Sequence, residues 1–176
     1  QQTIRASSDW IYGQHLDAAA RSGIRVHPAA EEEGIVFVRS DLPGSPEIRT
    51  CPEHLRSMPR WTALQSDGVE VHHTEHLLAA VALAGVDNLR VEMDSSRIPI
   101  LEGFGAAGFY DLLLKAGRRP QDAARRPMEM VCGPGLIQPA PLAEFLGIPV
   151  WLTTKLLLFL ADSRPVAVMV RGDCDV

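Results

Sequence analysis

Positive charge is in short supply in this chain: 17 lysines and arginines stand against 22 aspartates and glutamates, for a formal net charge of −5. No field of the whole molecule therefore draws it to nucleic acid or to an acidic membrane, and an anionic substrate has to be met locally. Cysteine is scarcer. Cys51, Cys132 and Cys174 are too few and too scattered for a disulfide framework or a CxxC zinc knuckle, which favours a reducing compartment. Long hydrophobic runs are also missing: Leu156 to Ala161 reaches about a third of the roughly 18 apolar residues that a membrane helix needs. These absences lead us to expect a soluble, cytoplasmic protein. The chain opens on Gln1 and breaks off at Val176 soon after an apolar run, which reads as a piece of a longer chain. What is present suffices for a core: 176 residues at 46% hydrophobic composition fit one or two compact domains and exclude disorder.

The hydrophobic period changes along the chain. Gly34 to Ser40 (GIVFVRS) reads as a strand entering the turn residues Asp41-Leu42-Pro43-Gly44. Gly68 to His72 alternates as a half-buried strand and runs into Thr74-Glu75-His76, where Leu77, Leu78, Val81 and Leu83 take up helical spacing. Thr74 is placed as N-cap and Gly85 as the stop. Asn88 to Asp94 alternates again, with Leu89, Val91 and Met93 on one face. Ile98-Pro99-Ile100 continues extended, and Ala106 to Ala116 reads as a second helix stopped by Gly117. Strand, helix, strand, helix implies an α+β fold, a small β-sheet layered against helices. Arg118 to Pro127 reads as a linker or an exposed loop. Beyond it, Ala140 to Leu146 suggests a short helix, and two apolar runs around Asp162-Ser163-Arg164-Pro165 suggest a β-hairpin.

The densest polar group is His72-His73-Thr74-Glu75-His76, where strand becomes helix. On an extended backbone His72 and His73 point to opposite faces. On the helix Glu75 and His76 are adjacent and about 100° apart, so one can ligate a metal while the other handles a proton on water. The same pair reads equally as a capping carboxylate beside a surface histidine. The remaining histidines are 15, 27 and 54, none follows residue 76, and HExxH is absent, so spacing alone completes no metal site. His15, after the permissive Gly13, could approach a substrate. His27 and His54 read as ordinary surface residues. Leu101-Glu102-Gly103-Phe104-Gly105 could bring backbone amides to a phosphate or sugar, or simply turn the chain into the next helix.

The run from Val69 to Gly117 (VEVHHTEHLLAAVALAGVDNLRVEMDSSRIPILEGFGAAGFYDLLLKAG) resembles the first half of the UDP-3-O-acyl-N-acetylglucosamine deacetylase (LpxC) family, zinc hydrolases of lipid A biosynthesis. Upstream signals agree: Gln2-Thr3-Ile4 resembles the opening strand, Gly13-Gln14-His15 a glycine-containing turn before histidine, and Pro59 to Leu64 the segment before the zinc helix. The resemblance covers about residues 1–131. It implies His76 as a Zn2+ ligand, Glu75 as the general base, and His15 and Thr62 as substrate-binding residues. The reaction implied is hydrolysis of an acetamide on a UDP-sugar lipid precursor. Two positions depart from the family: Leu16-Asp17 follow His15, and Glu102-Gly103-Phe104 replaces an aspartate-glycine-serine. The family's other zinc ligands, a histidine and an aspartate in HxxxD, have no counterpart after His76, so a second domain or a partner chain has to complete the site.

Residues 128–176 resemble something else. Leu142-Ala143-Glu144-Phe145-Leu146-Gly147-Ile148-Pro149, Lys155-Leu156-Leu157 and Pro165 to Asp173 are similar to the start of the YbaK-type aminoacyl-tRNA deacylase domain inserted in prolyl-tRNA synthetases. That resemblance implies Lys155 as an editing-site lysine and tRNA as a partner. The expected organisation is a deacetylase-like domain over 1–127 followed by a partial editing-like segment over 128–176. The alternatives to a deacetylase are an aminoacyl-tRNA deacylase module or a non-catalytic fragment or chimera.

Overall fold

The computed structural model describes residues 1–15, 19–58, 61–101 and 105–124, which belong to a compact unit spanning Gln1–Arg125. A second unit, Arg126–Val176, lies outside the described residues. In chain order the elements are β1 (Gln2–Ile4), β2 (Ile11–Gln14), β3 (Arg21–Pro28), β4 (Ile35–Arg39), β5 (Glu47–Arg49), a 3-10 turn (Pro52–His54), β6 (Leu55–Ser57), β7 (Thr62–Ser66), β8 (Val69–His72), α1 (Glu75–Ala84), β9 (Leu89–Met93), α2 (Ala107–Ala116) and β10 (Arg118–Pro120). The expected α+β class and layered sheet are what the structure shows. Five strands form the main sheet in the order β2-β3-β9-β4-β5, with β4 and β9 parallel and the other neighbours antiparallel. A second sheet, β6-β7-β8, carries the chain into α1, and β1 pairs with β10.

Alternation along the central strand β9 sorts its residues by face. Leu89, Val91 and Met93 are fully buried and join Ile24, Val26, Phe37, Leu77, Val81, Phe109 and Leu113 in one core between sheet and helices. Arg90 and Glu92 lie on the opposite face. Arg90 is clasped by Glu33 and Glu47, while Glu92 accepts from Arg25 Nε at 2.6 Å and meets His27 Nε2 at 3.0 Å. His27 is thus part of a structural polar network, in line with its plain reading. Both helices stop where glycine was placed to stop them: Gly85 has φ 68° and Gly117 φ 69°. Among the described residues no helix is long and apolar enough to cross a membrane.

The stretch from Arg118, read from the sequence as a linker or an exposed loop, begins instead as a strand. Residues Arg118–Pro120 form β10, with Ile4 opposite Arg118 and Gln2 opposite Pro120. The reason is that β1 buries Thr3 and Ile4 completely, and its backbone groups need a partner strand. Gln121 extends the closure, donating to the Ala29 carbonyl and accepting from Asn88.

Two bridges hold the small sheet to the large one. Arg39, at the end of β4, donates through Nε and Nη2 to both oxygens of Asp41, each at 2.7 Å, and through Nη1 to the Glu70 carbonyl on β8. Residues 96–100 form the second bridge, an extended segment with only isolated pairings. His72 N–H donates to the Ser96 carbonyl, Ile98 N–H to the His72 carbonyl and Ile100 N–H to the Gln14 carbonyl, so one segment touches the ends of β8 and β2. Gly13 is required there: a Cβ on it would sit 2.1 Å from the Ile100 carbonyl oxygen.

Both the Gly13 contact and the Glu92 pair have measurable consequences for stability. Gly13→Ala must push β2 away from Ile100, so it lowers the unfolding free energy by about 1–3 kcal/mol in urea denaturation, as overpacking does. The second concerns pH. The Arg25 guanidinium, donating to Glu92, holds that carboxyl below its usual range against the opposing effect of burial. A depressed folded-state pKa stabilises above the unfolded value and loses that contribution as pH falls through the folded value. Glu92→Gln is therefore expected to lower the thermal midpoint at pH 7, with the gap to the parent closing as pH drops below the ordinary carboxylate range.

Candidate active site at the start of the first helix

The site begins in the hairpin that precedes α1. Asp67 and Gly68 both take positive φ, 49° and 77°, and close a tight turn between β7 and β8. The resulting register sets Ala63 opposite His72 and brings the start of β7 beside the start of α1. Between β8 and α1 the chain turns sharply at His73, whose φ is 62°. A left-handed conformation at a histidine is uncommon and costly, and it persists only where the surroundings impose it. It also breaks the strand alternation that would send His72 and His73 to opposite faces: both rings lie against Trp61, with centroids 6.4 and 4.9 Å away.

Thr74 takes the N-cap position, but its hydroxyl makes no capping bond. It points instead to the Thr62 carbonyl at 3.4 Å, which also accepts from the Thr74 N–H at 3.3 Å. The Thr62 N–H donates to Glu75 Oε2 at 3.0 Å. Both sides of the Thr62 backbone therefore face the helix start. Glu75 is not a cap on its own helix; its carboxylate is held by the neighbouring strand. His76, the next residue, is exposed. Glu75, His76 and the 4% exposed His73 line a cavity of about 30 Å³ together with Ile98, Pro99 and Phe109, enough room for water.

His72 is engaged on both nitrogens. Trp61 Nε1–H donates to His72 Nδ1 at 3.2 Å, so the opposite nitrogen, Nε2, carries the proton shared with Glu70 Oε2 at 3.0 Å.

Of the residues singled out in the sequence, Glu75, His76 and Thr62 come together here. His15 does not share the cavity. It lies just after β2 and lines a separate groove of about 1300 Å³ with Gln14, Arg21, Asp111 and Lys115, its buried Nε2 having no hydrogen-bond partner among the described residues. The Ile100 segment forms a wall of both spaces. His54 sits in the 3-10 turn and bonds the Arg49 carbonyl. Glu102, Phe104 and Lys155 lie outside the described residues, as does the whole of the editing-like segment.

The sequence pattern assigns no site role to Trp61 or Glu70, and it marks His72 only as part of the polar cluster before α1. The Asp67-Gly68 dipeptide carries the signal that finds them, because a two-residue hairpin turn fixes the β7–β8 register and so folds Trp61 back onto the histidines.

The described donors here are the Glu75 carboxylate and the His76 ring. Among the described residues no three histidines, cysteines, aspartates or glutamates gather closely enough to hold an ion. A tetrahedral catalytic zinc takes about three protein ligands, so the exposed His76 and adjacent Glu75 do not by themselves fit one.

Comparison with known proteins bears on the same residues. Over 115 residues, 65% of its length, the chain is 42% identical to a UDP-3-O-acyl-N-acetylglucosamine deacetylase of Myxococcus xanthus and covers 36% of that protein. It is 46% identical over 115 residues to the enzyme of the same name from Pseudoalteromonas translucida, covering 38% of it. The one from Phenylobacterium zucineum is 40% identical over 134 residues, 74% of this chain and 45% of the relative. The chain thus spans less than half the length of these relatives. The family described as UDP-3-O-acyl N-acetylglycosamine deacetylase matches residues 1–134, about three quarters of the sequence and all of the helix-start site, and to that family, LpxC, the chain belongs.

Proposed function

We propose that this chain is the base-bearing portion of a zinc-dependent amide hydrolase that removes the N-acetyl group of UDP-3-O-acyl-N-acetylglucosamine. The observation that carries this reading is the pairing of a strand-held Glu75 carboxylate with an exposed His76 beside a cavity with room for water. The relatives' names supply the substrate.

In this reading Oε2 of Glu75 stays fixed by the Thr62 N–H, and the carboxylate takes a proton from water in the cavity. The water oxygen then bonds to the acetamide carbonyl carbon, the carbon–nitrogen bond breaks, and the proton held by Glu75 passes to the departing amine. Acetate and a free amine result. Zinc, when bound, supplies Lewis acidity for the water and the carbonyl. His76 is the ligand offered by the described residues; the others come from a second domain or a partner chain. His15 and Thr62 are assigned to substrate binding, His15 through the Nε2 that has no partner among the described residues of its groove. Residues 128–176 are proposed, on sequence resemblance around Lys155, to be the start of an aminoacyl-tRNA deacylase module.

A graft tests the deacetylase reading. Residues 1–124 of this chain replace the matching part of the Phenylobacterium zucineum relative, and acetate release from UDP-3-O-acyl-N-acetylglucosamine is measured. The chimera is expected to turn over, Glu75→Gln to lower kcat about 100- to 10,000-fold, and His76→Ala to lose zinc. A folded, zinc-loaded chimera without activity, or an undiminished Glu75→Gln, would overturn the reading.

A further inference from the structure

Trp61 has no part in the hydrolytic chemistry just described, yet it is the residue around which the site is arranged. Its ring lies 4.9 Å from that of His73, whose backbone is in the left-handed region, and its indole N–H is spent on His72 Nδ1. His72 is itself anchored. Its Nε2 pairs with Glu70, and its backbone N–H and carbonyl bond the Ser96 carbonyl and Ile98 N–H of the segment that walls the cavity. The Glu70 carbonyl in turn accepts from the buried Arg39. Trp61 is therefore tied through one hydrogen bond to a rigid part of the sheet.

The peptide that follows Trp61 is the one whose N–H holds Glu75. We propose that Trp61 is a positioning residue for Glu75: the indole bond to His72 fixes the Trp61–Thr62 peptide so that its N–H is aimed at the carboxylate. Rotation of that peptide would release the carboxylate, because Thr74 contributes nothing to Glu75 and is itself bonded to the Thr62 carbonyl. Ring packing against His73 orients Trp61 but does not direct the N–H; the polar bond does. The catalytic meaning of this rests on Glu75 being the base, whereas the positioning itself does not.

Amide hydrogen exchange of the full chain, followed residue by residue by NMR, reads the effect directly. Glu75→Ala identifies the acceptor and should speed exchange at Thr62. Trp61→Phe keeps a ring against His73 and removes only the donor; Thr62 exchange should rise about tenfold, the effect of losing one hydrogen bond, with Leu64 and Val71 in the same sheet unchanged. His72→Phe should do the same. His72→Asn, whose side-chain oxygen can take the place of Nδ1, should restore protection. The proposal fails if Thr62 exchanges at the parental rate in Trp61→Phe and His72→Phe, if His72→Asn exchanges as fast as His72→Phe, or if Leu64 and Val71 rise in step with Thr62. Since no turnover is read, failure here leaves the hydrolytic reading standing, and an inactive chimera leaves the positioning standing.

Discussion

The backbone N–H and carbonyl of a single residue, Thr62, hold the start of α1 from outside the helix. Helix N-termini leave several amides without intrahelical partners, and the usual remedy is a side chain on the N-cap. Here the N-cap hydroxyl is turned to the preceding strand, and the strand replies with an N–H to the first helical carboxylate. The exchange trades a local cap for a tertiary one. It places Glu75 by reference to the sheet rather than to its own helix, which is what the proposed role as base requires, since reactivity depends on position to within a fraction of an ångström.

The rest of the unit can be understood as support for that contact. Arg39 spans from β4 to the Glu70 carbonyl and is almost entirely buried, so the small sheet cannot shift without exposing a charged hydrogen-bonded group. The 96–100 segment crosses from His72 to Gln14, and its Ile98, Pro99 and Ile100 form the apolar wall of the cavity beside Glu75. Gly13 lets β2 approach that wall closely enough for His15 to lie next to it. His73, one of four described non-glycine residues with positive φ, is held between a strand bound on one side and a helix bound on the other.

Much of the frame was legible in the sequence, for clear physical reasons. The strand over Leu89–Met93 shows as strict alternation because one of its faces meets the core and the other carries ion pairs. The helices show through their apolar spacing and glycine stops. Less visible was β3, where Gly23 and a terminal Pro28 interrupt the β-branched signal although Ile24 and Val26 are fully buried. β10 was hidden among arginines and a proline because its pairing with β1 is a long-range matter that local composition does not encode. At the site, the motif marked Glu75 and His76, but the Thr62 contact and the Trp61–His72 bond are tertiary and arise only once the Asp67-Gly68 turn sets the hairpin register. Local pattern names the candidate groups; non-local packing decides where they point.

The account stands or falls on Glu75 and His76 being one corner of a metal-assisted site. Anomalous diffraction at the zinc edge from zinc-soaked crystals of the chimera with the Phenylobacterium zucineum relative, which brings the ligands this chain does not offer, tests this most directly. The expected result is a peak about 2.0–2.1 Å from a ring nitrogen of His76, next to the Glu75 carboxylate. A zinc at His27, His54 or Cys51 with none at His76 would contradict it.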